Sequence, residues 1–430
     1  MNWLLVLLLI VAVYLLLFEF IRRSGIWKDR VAFYGPILAL KSARVGFFDY
    51  FRRYTDILRI YSTIGVICVV LISVLISLLL ILSVRFTLII QPEPTGIYEP
   101  QNILLLPGIN EFVPSTFAVW FAFLLTIAIH EFGHGILCRV EGITVRSIGA
   151  LVAVIPIGFF VEPDEEELEQ LRGWPRVRMF GAGITNNLLL GFVCFGFMLL
   201  LAGMLVPTAA PVIHGVYQDY PADIAGIPQN SIILEINGSQ VSTRKEVGGF
   251  LDMTAPGDTV HLLVRHESTV EPFNVTLSGW PEELDEKKTG FMGIYYFDAD
   301  FAKQAFDSLA SPLGILRMIS IPFDTSLEGK YFRTLAFDSV ETEYYTTPFP
   351  LFWDLAHILF WSAWININVG IFNAIPMIPL DGGYIMQEGI TRIFERRRLG
   401  HLAKYFVALI SWLMLIMMIA LVALPYLLHL

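Results

Sequence analysis

The run TFAVWFAFLLTIAIHEFGHGILCRV, residues 116–140, decides how the chain is read. It is apolar for most of its length, yet it carries His130, Glu131 and His134 close to its end. On a helix, residues four apart share a face, so the two imidazoles are spaced to hold one Zn²⁺ at roughly 2.0–2.1 Å per nitrogen. Glu131 beside them can take a proton from a water polarised by such an ion, the division of labour in metal-dependent peptide hydrolysis. Arg139 marks the cytoplasmic end of the run, which sets His130 roughly 13 Å inside a membrane. Ionisable side chains at that depth cost on the order of 2.5–3.5 kcal/mol each, so three within five positions point to a shared metal ion.

The rest of the chain agrees with a membrane setting. Of 430 residues, 55% are hydrophobic and only 16% charged, where a soluble globule needs about 25% charged residues to cover its surface. Residues 3–20, 62–84, 116–139, 179–206, 351–375 and 402–428 are each long enough to cross a hydrocarbon core of roughly 30 Å. The expected fold is a polytopic α-helical membrane protein with six transmembrane helices. A net charge of −10 supplies no basic face for nucleic acid. Cys68, Cys138 and Cys194 each fall inside a span and suggest neither disulfides nor a thiolate site. The first run lacks a basic n-region and a small-residue cleavage site, so it is expected to stay as an anchor.

Orientation follows from the loops. Nine Lys and Arg lie between residues 22 and 59, and none lies in 86–115. By the positive-inside rule the former segment is cytoplasmic. Alternation then sets the N-terminus, residues 207–350 and the C-terminus outside, with the HEFGH end of its span towards the cytoplasm. The chain is thus expected to be an integral protein of the cell membrane.

Two histidines do not complete a catalytic zinc site, which normally takes three protein ligands. The third candidate is Asp381, in FNAIPMIPLDGGYI, residues 372–385, at a matching depth. Pro376 and Pro379 stop a regular helix, and Gly382 and Gly383 permit unusual backbone angles that turn the carboxylate inward. HEFGH together with NAIPMIPLDGG resembles the site-2 protease family of intramembrane zinc metalloproteases, with Asn373, Pro376, Leu380, Asp381 and Gly382 on the family's second element. The resemblance implies one Zn²⁺ per chain on His130, His134 and Asp381, catalysis by Glu131, and substrate contact at Asn373. It further implies that AGITNN, residues 182–187, is the family's A-G-x-x-x-N element, with Asn187 at the asparagine position and Asn186 beside it. An amide there can steady an oxyanion or simply bond between helices.

SIGALVAVIPIGFFVEPDEEEL, residues 147–168, is too short and too broken by Gly and Pro to cross, and is expected to form a re-entrant hairpin whose edge can take an unwound substrate as an added strand. Residues 211–280 have soluble composition. IILEI, VHLLV and FNVTL read as strands, and YPADIAGI with APGDTVHLLV resembles the PDZ domain of site-2 proteases. Four segments are therefore expected: 1–206 with four helices and the hairpin, 211–280 as the PDZ-like insert, 281–350 as an extracytoplasmic linker, and 351–430 with two more helices. Expected partners are transmembrane-helix substrates, the lipid bilayer and a peptide C-terminus at the insert. The rival readings are a catalytically silent metal-binding scaffold, a metal transporter and a CAAX-type metalloprotease. Glu131 argues against the first, the single level of polar groups against the second, and Asp381 against the third.

Overall fold

The computed structural model describes residues 3–28, 30–103, 105–281, 284, 288–324 and 326–429. The chain divides into two compact units, Met1–Gly196 with Ile358–Leu430, and Phe197–His357.

The first unit begins with α1 (Trp3–Ser24), followed by β1 (Val31–Tyr34) and β2 (Ile37–Ser42), a hairpin closed by Gly35 at φ +58°. A 3₁₀ segment, Gly46–Tyr54, leads into α2 (Thr55–Ile90). Next come α3 (Phe117–Val140), β3 (Val145–Ala153), β4 (Ile155–Pro163), the short α4 (Glu165–Gln170) and α5 (Trp174–Ala202). Thr116 starts α3 by accepting the Val119 N–H, the usual way an orphan donor of a first turn is satisfied. The expected hairpin over 147–168 is β3 with β4, turning at Val154 in the left-handed region. It is also longer in scope than the sequence suggested, because β1 and β2 join it in a four-stranded antiparallel sheet ordered β1-β2-β3-β4. The Tyr14 hydroxyl of α1 holds the tip of that sheet, within bonding reach of the carbonyls of Pro36 (2.6 Å) and Val152 (2.9 Å).

The second unit contains β5 (Val206–Pro207), β6 (Val212–Val216), α6 (Pro221–Ile224), β7 (Ser231–Ile236), β8 (Ser239–Gln240), α7 (Arg244–Leu251), β9 (Thr259–His266) and β10 (Thr269–Thr276). The three strands read from the sequence are β7, β9 and β10. β11 (Ile294–Tyr296), beyond residue 280, adds the edge of a sheet ordered β10-β9-β7-β6-β11, with β8 on β7. Alternation explains the core: Val260, Leu262 and Val264 of β9 all point inward, onto Ile213, Ile233, Ala222 and Val247. The region expected as a linker is helical in part, with α8 (Ala299–Ser308), α9 (Gly314–Ser320) and α10 (Leu327–Arg333), before β12 (Tyr345–Thr346) pairs with β5.

The chain ends in α11 (Phe352–Asn373), α12 (Asp381–Arg396) and α13 (Gly400–Leu427). Among the described residues, five helical stretches are long and apolar enough to cross a membrane: Gly46–Ile90, Phe117–Val140, Trp174–Ala202, Phe352–Asn373 and Gly400–Leu427. They differ in how they are used. α11 is enclosed, with Phe360, Trp361, Trp364 and Ile365 fully buried, whereas α2 and α13 leave Ile64, Leu71, Leu75, Leu409, Trp412 and Ile416 exposed. Contiguous exposed apolar rows of this size are stable only against lipid or another protein. Within the unit, Val69, Ile184, Leu188, Ala374 and Ile385 form one core that joins α2, α5 and the start of α12. Ion pairs tie the helix ends: buried Glu141 pairs with Arg178 (2.8 Å) and Arg59 (3.3 Å).

Candidate metal centre

His130 and His134 follow one another on the same face of α3, their Nε2 atoms 3.2 Å apart. Asp381 reaches them from the other end of the chain, with Oδ2 at 3.1 Å from His130 Nε2 and 3.3 Å from His134 Nε2. Three donors at about 2.0–2.1 Å from one tetrahedral ion are separated from each other by roughly 3.3–3.4 Å, so the triangle has the dimensions of one face of a zinc site. Apart from these two nitrogens, Asp381 Oδ2 is buried without a hydrogen-bond partner among the described residues. A buried carboxylate oxygen left in that state is costly unless a cation shares it. The donor set therefore fits a divalent ion.

Each imidazole is fixed from behind. His134 Nδ1 lies 2.9 Å from the Met179 carbonyl, so the proton sits on Nδ1 and the Nε2 lone pair is free. His130 Nδ1 lies against the carboxamide of Asn187, whose Nδ2 is at 3.2 Å and whose Oδ1 has no hydrogen-bond partner among the described residues. For His130 to offer Nε2, its Nδ1–H must donate, and exchanging the Asn187 amide oxygen and nitrogen by a half-turn about χ2 supplies the acceptor and gives the otherwise unpartnered Oδ1 a donor. Asn187 is fully buried in this position. Its neighbour Asn186 does something else. It accepts from the Tyr61 hydroxyl (2.8 Å) and donates to the Ile129 carbonyl (3.2 Å), joining α2, α3 and α5.

Glycines bring the elements this close. A Cβ on Gly183 of α5 would stand 2.6 Å from His130 Cε1 and 2.7 Å from His134 Nε2, and one on Gly133 would stand 2.8 Å from the Ala182 carbonyl oxygen. Asp381 is the first residue of α12, after the loop 374–380, and it does not act as the cap, which is Leu380. Gly382 and Gly383 do not adopt positive φ, contrary to the sequence expectation. Their requirement is space: a Cβ on Gly382 would lie 2.7 Å from the Ile375 carbonyl oxygen, and one on Gly383 2.5 Å from Ile378 N. The first turn of α12 is thus pressed onto the proline loop, and that contact aims the carboxylate.

Glu131 stands beside the triangle, its Oε2 accepting the Val161 N–H of β4 at 3.0 Å. A cavity of about 390 Å³ opens at Glu131, walled by Leu40, Phe48, Ala128, Phe132, Phe159 and Phe160. Asn373 is the last residue of α11, half-buried, and is not among the residues that converge on the ion site. Gly183 lies within the AGITNN element, whereas the Val161 amide and the Met179 carbonyl are not legible in the sequence. Both are backbone groups without a side-chain signature.

A chain of apolar helices enclosing two histidines, an aspartate and an adjacent glutamate defines an integral membrane protein of the metallohydrolase class. The family model for "Peptidase family M50" matches residues 118–418, and the chain belongs to that family, the zinc metalloproteases of site-2 type. It is 27% identical over 159 residues to a membrane-bound transcription factor site-2 protease homolog of Arabidopsis thaliana, covering 36% of this chain and 30% of that protein. It is 23% identical over 230 residues to the zinc metalloprotease RasP of Oceanobacillus iheyensis, covering 51% of each. An uncharacterized protein of Methanocaldococcus jannaschii is 21% identical over 372 residues, covering 85% of this chain and 80% of its own length. Among solved structures, the PDZ domain of an SdrC-like protein of Listeria monocytogenes aligns with 22% of this chain at 25% identity and a TM-score of 0.19.

Proposed function

We propose that the protein is an intramembrane zinc endopeptidase that cuts the transmembrane segment of a membrane-protein substrate near the cytoplasmic face. The observation that carries this reading is the convergence of His130, His134 and Asp381 within 3.1–3.3 Å beside the Glu131 carboxylate. These three side chains hold one Zn²⁺ per chain, and when bound the ion supplies Lewis acidity to the attacked carbonyl and the attacking water. Glu131 takes the proton from that water and delivers it to the leaving amine. Asn187 keeps the His130 ring oriented through Nδ1, in place of the oxyanion contact suggested by its sequence position. Asn373 is assigned to substrate contact on the family pattern alone.

The substrate unwinds, lies as a strand along the open edge of β4, and sends an apolar side chain into the cavity at Glu131. α1 is the sixth span, the N-terminus and residues 207–350 are outside, and the sheet around β6–β10 acts as a PDZ-like module for a peptide C-terminus. The decisive comparison uses purified full-length protein and a single-span substrate. Glu131→Gln is expected to keep zinc and lose cleavage by about a hundredfold or more, because general acid–base steps contribute roughly 10²–10⁴. Asp381→Ala is expected to lose both. Zinc retained at full occupancy in Asp381→Ala would mean that the third ligand lies elsewhere.

A further inference from the structure

Glutamate side chains are long and rotate freely, while a general base works from one position only. The structure supplies a restraint from outside α3. β4 is the outer strand of its sheet, and the amides of an antiparallel strand alternate between the partner strand and the open edge. The Val161 N–H bonds to Glu131 Oε2, so it belongs to the outward set. Val161 pairs opposite Ile148 and Phe159 opposite Ala150 with no register shift between them, so the Phe159 N–H faces the same open edge.

We propose that the Val161 main-chain N–H is a positioning group for Glu131, and that the Phe159 N–H is the edge amide left to pair with the substrate backbone. This rests on the peptidase reading above and adds a division of labour within one strand edge. Two neighbouring outward amides serve different partners: one orients the base and governs turnover, the other holds the peptide and governs binding.

The two roles separate kcat from KM. Val161→Pro removes the N–H at a position where proline is tolerated, since the donor faces away from the sheet. Val161→Ala trims the side chain and keeps the donor. With full-length protein in detergent and a single-span substrate, kcat of Val161→Pro should fall about tenfold or more below that of Val161→Ala, with KM within about twofold and equal zinc content, because hydrogen bonds to charged groups are among the strong ones. Phe159→Pro against Phe159→Ala should do the reverse, raising KM with little change in kcat. If proline at 161 prevents folding, replacing Val161 by its α-hydroxy acid, which puts an ester oxygen where the N–H was, keeps the backbone shape and decides the matter. Equal kcat with and without the 161 donor overturns the proposal, and so does an effect confined to KM. Cleavage persisting in Glu131→Gln would instead overturn the peptidase reading itself, a result distinguishable from silence at Val161.

Discussion

Two histidine environments, the ion site of the first unit and the tyrosine pocket around His214 in the second, enclose the ring in opposite ways. In the first, His130 and His134 each have a partner at Nδ1, and both Nε2 atoms face one carboxylate oxygen. In the second, His214 is buried among Tyr295, Tyr331 and Tyr344, ring centroids 6.0–6.1 Å away, and neither of its nitrogens has a hydrogen-bond partner among the described residues. The first pair is oriented by the scaffold, with both Nε2 atoms turned towards Asp381, as metal ligands are. The other is enclosed by rings that offer packing and no direction. Burial alone therefore says little about a histidine, and the informative feature is whether its second nitrogen is held.

The sharpest way to break the first arrangement leaves every ligand in place. Gly183→Ala puts a methyl group 2.6–2.7 Å from both imidazoles, where real Cβ contacts do not occur. Rings or helix must shift by several tenths of an ångström, and a centre that depends on bond lengths near 2.0–2.1 Å does not tolerate this. Bound zinc and cleavage should both fall by about a hundredfold or more, with the protein still monodisperse in detergent. Full zinc occupancy in Gly183→Ala would show that α5 does not confine the ligands.

Asn187→Ala tests the support behind one ring and should cost less. Loss of such a partner typically lowers metal affinity by roughly 10–100-fold. Zinc titration with a competing chelator measures this directly. An unchanged affinity would return Asn187 to the oxyanion role or to helix packing. Asn186→Ala, by contrast, removes the link between Tyr61 and Ile129 and should act on stability before affinity.

Legibility followed the distance over which each feature is encoded. HEFGH was readable because helical periodicity is local, and β7, β9 and β10 were readable because alternation and turn residues are local as well. Asp381 is remote, but the prolines and paired glycines around it mark a broken helix. The reason assigned to those glycines was wrong, since close approach to the 374–378 backbone, and not left-handed φ, excludes a side chain. β1 and β2 are not legible although Gly35-Pro36 is a turn signal, because VAFY and ILALKS are short and lack the polar–apolar alternation that marks a strand. β11 was missed because three residues give too short an alternation to recognise. The Val161 amide and the Met179 carbonyl carry no side-chain information, so only the folded backbone reveals them.

The smallest effect is expected at His214, and its sign is fixed by burial. Desolvation among the tyrosines lowers its pKa below the ordinary value of 6.5, with Glu341 opposing the shift and Lys330 adding to it. The folded protein thus keeps this ring neutral at a pH where the unfolded chain binds a proton. Stability rises with pH wherever the unfolded state holds more protons, so His214 costs nothing well above pH 6.5. Its cost appears as pH falls through the unfolded value of about 6.5 and stops growing below the folded pKa. His214→Phe preserves the stacking on Tyr331 and removes the proton site. The melting temperature of the wild type should therefore drop more steeply between neutral pH and about pH 5 than that of His214→Phe, by a few degrees. Zinc content and cleavage at pH 7.5 should be the same in both. Parallel curves would mean that the buried ring already has a polar partner, and a loss of zinc would erase the contrast between the two kinds of buried histidine.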